Sequence, residues 1–180
     1  MKDLSMHIMD LVENAIRAGA DTVQVEVVSD PNRKEMYITV KDNGKGVRPE
    51  ELPLLLDPFY TTKEGKKVGL GIPLFNETCK RCGGELVIKP NGMKGLWVQG
   101  RLLTDNIDLP PLGDLASAIS GLMLLYPHVS ISLLLAMGKE VLTVSTKDLT
   151  KVEDSWDAKS LLDLKAKIKE FLKRTLREVG

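Results

Sequence analysis

Three short stretches carry residue types that can do chemistry together. In "DLVENAIRAG" (residues 10–19), Asp10 and Asn14 are four positions apart, so a helix would stack them on one face with Arg17 following. A carboxylate and an amide one turn apart can divide labour at a phosphate. Asn14 can offer an oxygen to Mg²⁺, while Asp10 accepts a proton from a water or orients it. The second stretch is Asp42-Asn43-Gly44-Lys45-Gly46. Its glycines permit close backbone approach to a flat ligand, and a carboxylate at a strand end can accept a hydrogen bond from an exocyclic amine. The third is Gly69-Leu70-Gly71 at the head of an apolar-periodic segment. Backbone N–H groups there form an anion site.

Each stretch alone also has an ordinary explanation. Charged residues usually just wet the outer face of a helix. Asn-Gly is the commonest two-residue hairpin turn, and a bare Gly-x-Gly is frequent. No G-x-x-x-x-G-K-[ST] or G-x-G-x-x-G occurs, so neither a P-loop nor a dinucleotide fingerprint is present.

The elements that must hold these residues follow from periodicity. Leu4, Ile8, Leu11, Val12 and Ala15 recur at helical spacing, which predicts an amphipathic helix over 3–18 ended by Gly19. "TVQVEVV" (22–28) alternates as a half-buried strand, and "EMYITVK" (35–41) is expected to pair with it after the turn "SDPNRK". A short helix near 50–56 precedes "DPFYTTKEGKKVGLGI", and a further helix runs from Leu70 to the Gly83-Gly84 stop. "ELVIKP" and "GLWVQGRLL" then form two strands around "NGMKG". The order predicts an α+β sandwich with helices on one face of a mixed sheet.

"TDNIDLPPLG" (104–113) interrupts the pattern, and a boundary is expected there. Beyond it the sequence predicts an apolar helix at 112–125, a hairpin turning at Gly138-Lys139 and an amphipathic helix from about 157.

Lys+Arg and Asp+Glu are equal at 25 each, which argues against a non-specific nucleic-acid binder. The first fifteen residues have acidic side chains within the apolar pattern and no small-residue cleavage site, and no apolar run approaches membrane-spanning length. A soluble, cytoplasmic protein without membrane insertion is the expectation. Cys79 and Cys82 form a C-x-x-C, but no second Cys or His pair completes a zinc set, so two semi-buried helical thiols are expected. His7 is expected at the pocket edge or in the core.

Order and spacing join the three stretches. "DLVENAIRAGADTVQVEV", "VKDNGKGV" and "DPFYTTKEGKKVGLGI" resemble the N, G1, and F plus G2 boxes of the GHKL (histidine kinase-like) ATPase superfamily, over residues 4 to about 103. The resemblance implies a two-layer α/β sandwich, here with a small C-terminal α/β extension, binding ATP or ADP with Mg²⁺ under a mobile lid. It implies that Asn14 holds Mg²⁺, that Asp42 meets the adenine amine, and that Gly44, Gly46, Gly69 and Gly71 line the nucleotide. Arg17, Ala18, Val47, Phe59, Thr62, Lys63, Val68 and Leu70 are the remaining implied contacts. Asp57 to Val68 becomes the lid, its base pinned by Phe59 and Tyr60, with Lys63, Lys66 and Lys67 near the phosphates. Asp10 stands where hydrolytic members carry a glutamate base and is one methylene shorter, which implies slow hydrolysis. Lys67-Val68 replaces the Gly-Thr that often precedes Gly-Leu-Gly, and "GLWVQGRLL" lacks the threonines often found in that strand.

The first box leans toward mismatch-repair ATPases and the lid toward sensor kinases. With a short lid and no phosphoacceptor helix before the domain, the pattern resembles the anti-sigma-factor kinases. A stand-alone protein kinase or slow ATPase acting with a protein partner is therefore expected, and a nucleotide-dependent binding module without useful turnover is the alternative. Residues 1–103 are the expected ATP-binding domain. Residues 104–180 are expected to recognise the partner or complete the fold, and their last helix is expected to dock there or make a homodimer contact.

Overall fold

The alternation in "TVQVEVV" has its expected effect: Val23, Val25 and Val27 are buried side by side on one face of a strand. The computed structural model describes residues 3–60, 71–92 and 94–176. In chain order they form α1 (Leu4–Arg17), β1 (Thr22–Asp30), β2 (Glu35–Asp42), a 3-10 segment (Pro49–Leu56), α2 (Gly71–Arg81), β3 (Glu85–Pro90) and β4 (Leu96–Leu103). There follow α3 (Leu115–Leu125), β5 (Ser130–Met137), β6 (Glu140–Ser145), the short pair β7 (Lys151–Val152) and β8 (Ser155–Trp156), and α4 (Ala158–Thr175).

One six-stranded sheet has the order β3-β4-β2-β1-β5-β6. β1 runs parallel to β5, and the other neighbours are antiparallel. The register aligns Leu133, Val25, Val40 and Val98 across four strands. With the stripe of α1 (Leu4, Ile8, Leu11, Val12, Ala15) and the buried faces of α2, α3 and α4, these residues form one core. The result is the two-layer α/β sandwich expected, with helices on one face. The opposite face carries polar pairs such as Lys41–Glu26 at 2.6 Å and Arg101–Glu35 at 3.0 Å.

Aspartates start three of the helices: the carboxylates of Asp3, Asp114 and Asp157 accept from Met6 N, Ser117 N and Ser160 N at 3.0, 3.0 and 2.9 Å. Leu4 N and Ser5 N, two further donors of the first turn of α1, bond to the carbonyls of Pro111 and Leu112 at 3.0 and 2.9 Å. The segment between β4 and α3 is thereby tied to the start of α1.

Sheet and helix layers meet closely at Gly100. A Cβ there would lie 2.4 Å from Phe75 Cζ and 2.7 Å from Cys79 Sγ, so only glycine lets α2 lie this near β4. The two thiols are deeper than expected: Cys79 and Cys82 are both fully buried, and burial pushes the Cys79 thiol up to about 12. Among the described residues no group of His, Cys, Asp and Glu could hold a metal ion.

His7 is a core residue. Its Nε2 lies 3.0 Å from Thr78 Oγ1, and its ring centroid 5.1 Å from that of Phe75. Because Thr78 Oγ1 donates to the Leu74 carbonyl at 3.1 Å, His7 Nε2 is the nitrogen that carries the hydrogen. Nδ1 is left as a buried acceptor with no hydrogen-bond partner among the described residues.

Candidate functional site

The apolar stripe of α1 fixes the rotation of the helix, and that rotation sets Asp10 and Asn14, both half-buried, along one flank. Arg17 is exposed at the end of this flank, pairs with Glu13, and reaches Asn14 Oδ1 with Nη1 at 3.5 Å. The first residue of α2 meets the same flank. A Cβ on Gly71 would stand 3.0 Å from Asn14 Nδ2 and 3.5 Å from Asp10 Cβ.

The loop after β2 docks on the end of α1. Lys45 N donates to the Ala18 carbonyl at 2.9 Å, and a Cβ on Gly44 would lie 3.0 Å from that same oxygen. Asn43 does not turn a hairpin here, since β2 leads instead into the 3-10 segment. Its side-chain oxygen accepts from Asp21 N and Thr22 N at 3.1 and 3.0 Å and its amide donates to Asp21 Oδ1 at 2.7 Å, tethering the loop to the start of β1.

Between these elements lies a cavity of about 270 Å³. Leu11, Ala15, Val40, Ile72, Leu96 and Val98 give it apolar walls. Asp42 supplies a carboxylate that is only 7% exposed. Burial raises the Asp42 carboxyl above its ordinary value, and the backbone N–H groups of Gly44 and Leu96 offset part of that effect. The Gly44 bond to Asp42 Oδ1 is 2.8 Å long.

Of the residues singled out from sequence, Asn14, Arg17, Ala18, Asp42, Gly46, Val47 and Gly71 line the cavity. Gly44 packs against Ala18 and Asp42, two of the lining residues, and Asp10 sits one turn before Asn14 beside Gly71. Thr62, Lys63, Val68, Gly69 and Leu70 lie outside the described residues, as does most of the lid expected over Asp57 to Val68. One expectation at the lid's base is corrected. Phe59 is 81% exposed and does not pin the segment to the core. Asp57 Oδ1 accepts from Phe59 N at 2.8 Å and its carbonyl from Tyr60 N at 3.1 Å, and this tight turn sends the two neighbouring rings in different directions. Tyr60 alone turns in: it lines the cavity, and its hydroxyl donates to Glu51 Oε1 at 3.3 Å. Glu51 is also held by Arg48 at 3.1 Å, and hydrogen bonding to Arg48 lowers its carboxyl to about 2.

Sequence reasoning missed Leu11, Ala15, Val40, Lys45, Leu55, Ile72, Leu96 and Val98 as lining residues. It also missed the contribution of the β3–β4 turn. Asn91 Nδ2 donates to the Asp42 carbonyl at 2.8 Å, and a Cβ on Gly95 would fall 1.9 Å from that oxygen. The Gly that closes "NGMKG" was the available signal.

The family model for histidine kinase-, DNA gyrase B- and HSP90-like ATPases matches residues 2–105, more than half of the chain. Sporulation kinase C of Bacillus subtilis is 34% identical over 92 residues, which are 51% of this chain and 21% of that protein. The DNA mismatch repair protein MutL of Kosmotoga olearia is 48% identical over 56 residues, 31% of this chain and 9% of its own length. The chain thus spans about a fifth or less of these relatives. Among solved structures, the Aquifex aeolicus MutL ATPase domain complexed with ADP superposes with a TM-score of 0.58 at 19% identity, over 93% of this chain and 70% of that one, a likeness of fold. Among the described residues no helix is long and apolar enough to cross a membrane.

Proposed function

The chain belongs to the histidine kinase-, DNA gyrase B- and HSP90-like ATPase family, and from that premise we propose that its cavity binds ATP with Mg²⁺, as part of a protein kinase or slow ATPase that works with a protein partner. The observation that carries the reading is Asp42, a buried carboxylate at the edge of an apolar cavity. A carboxylate in that position gains from a ligand that brings a hydrogen-bond donor, and the exocyclic amine of adenine is such a donor. The aliphatic walls suit the two faces of a planar base, and 270 Å³ accommodates one.

The remaining groups suit a triphosphate. Gly71 puts no side chain between the start of α2 and Asn14, so phosphate oxygens can approach both. The Asn14 amide oxygen is a hard donor of the kind Mg²⁺ takes, and binding would draw it away from its long contact with Arg17. Bound Mg²⁺ would neutralise phosphate charge there. Asp10, beside Gly71, is the group able to orient a water or hydroxyl and accept its proton. On this reading residues 1–103 form the nucleotide-binding part, and the partner docks on the part beyond Leu103.

The shorter reach of Asp10 favours a second reading, a nucleotide-dependent binding module with no useful turnover. Calorimetric titration with ATP and ADP, with and without Mg²⁺, tests the site itself; absence of saturable binding at millimolar nucleotide rejects both readings. Turnover separates them. Under the first, Asp10→Asn abolishes hydrolysis or phosphotransfer and leaves ATP affinity within about twofold. A wild-type protein that binds ATP but turns none over with any partner supports the second.

A further inference from the structure

Asp42 is gripped from a part of the chain far from its own loop. The β2–β4 ladder ends at the pair Lys41–Trp97. One residue on, the Asp42 carbonyl takes its hydrogen from the side chain of Asn91, Nδ2 to O 2.8 Å. Asn91 is itself fixed, its N–H donating to the Gly95 carbonyl at 3.2 Å across the β3–β4 turn. Gly95, at φ +88°, lies so close that a Cβ would stand 1.9 Å from Asp42 O and 2.9 Å from Asn43 Cα. On its other side a Cβ on Gly46 would be 3.2 Å from Gly95 N. The next residue, Leu96, points its N–H at the Asp42 carboxylate. The β3–β4 turn thus holds Asp42 through a side-chain donor to its carbonyl, a backbone donor to its carboxylate and direct backbone contact.

We infer that Asn91 is a positioning residue that sets the base selectivity of the site. The inference rests on the nucleotide reading above and extends it. A carboxylate separates adenine from guanine only when its oxygens are aimed, because adenine offers an amine at C6 where guanine offers a carbonyl oxygen. Without the amide of Asn91, the part-buried Asp42 carbonyl loses that donor, one of the three holds the turn has on Asp42, and the backbone from which the carboxylate is aimed is less tightly fixed. Gly44 N, bonded to Oδ1, belongs to the same loop and moves with it. The half-buried Asn91 does not itself line the cavity, so its substitution acts through Asp42.

The test is the ratio of ATP to GTP affinity, measured by calorimetric titration with Mg²⁺ for the wild type, Asn91→Ala and Asn91→Asp. The alanine variant removes the side chain, while the aspartate variant keeps its size and removes the N–H donor. Both are expected to weaken ATP about five- to tenfold and change GTP by less than about twofold, so that selectivity narrows by the same factor. Equal losses for the two nucleotides, unchanged ATP binding, or wild-type selectivity in Asn91→Asp would overturn the inference while leaving the nucleotide reading standing. A wild type that binds neither nucleotide removes the reading, and the inference with it.

Discussion

Gly71 stands directly against the side chain of Asn14: a Cβ on this first residue of α2 would come 3.0 Å from Asn14 Nδ2. Two segments separated by the whole of β1, β2 and the loop after them thus meet with no side chain between them. The neighbour must shift to admit even a methyl group, and the space it would fill is the space proposed for phosphate. Gly71→Ala is therefore expected to weaken Mg-ATP about three- to tenfold and to change adenosine binding by less than about twofold. Parallel titrations with the two ligands check this, and equal losses would place the effect at the base instead.

Asp42→Asn probes the buried carboxylate. Because burial raises the folded-state pKa of Asp42 above its unfolded value, the native state holds the proton more tightly. Charging this group costs stability: the cost is full above the folded pKa and disappears as pH falls through the unfolded value near 3.8. The amide variant is expected to be at least as stable as the wild type at pH 7 and to bind ATP at least about tenfold more weakly. Urea denaturation at pH 7 together with ATP titration reads both effects.

His7 has the opposite sign. Burial foremost, with Arg81 adding and Asp3 opposing, lowers its pKa from 6.5 to about 4. Between those values the unfolded chain takes up a proton that the folded one refuses, so stability falls as pH drops from about 6.5 toward 4. The loss amounts to at most about 3 kcal/mol. His7→Gln should flatten this part of the stability–pH curve, as followed by urea midpoints between pH 7 and pH 4.

Gly100→Ala tests the seam between layers. The added methyl would overlap Phe75 and Cys79, whose side chains are themselves fully buried. A loss of about 1–3 kcal/mol is expected, measured by chemical denaturation, and a shift below about 0.5 kcal/mol would mean that α2 can lift from β4 without strain.

Much of this fold is written in local patterns. The stripe of α1, the alternation in β1 and the Asp42–Gly46 motif each lie within twenty residues, and a period or a motif exposes them. The hold of Asn91 on Asp42 is different: it joins positions 49 residues apart through one side-chain amide, which leaves no trace in spacing or composition. Phe59 was misread for a related reason. "PFYT" resembles a packed aromatic pair, but a four-residue turn from Asp57 to Tyr60 decides which ring faces inward. The C-terminal strands were legible as strands, yet nothing in "SISLLLAM" specifies that it pairs with β1 rather than building a separate sheet.

That parallel pairing has a consequence for how the chain becomes a protein. β1 gains one neighbour within a dozen residues, through the hairpin to β2, and must wait for its other, since Thr22 pairs with Ser130. As the polypeptide leaves the ribosome, more than a hundred residues must emerge before the middle of the sheet closes. Until then β1 offers an unprotected edge, the arrangement most open to pairing with another chain. A fragment ended at Leu103 would keep that exposure permanently.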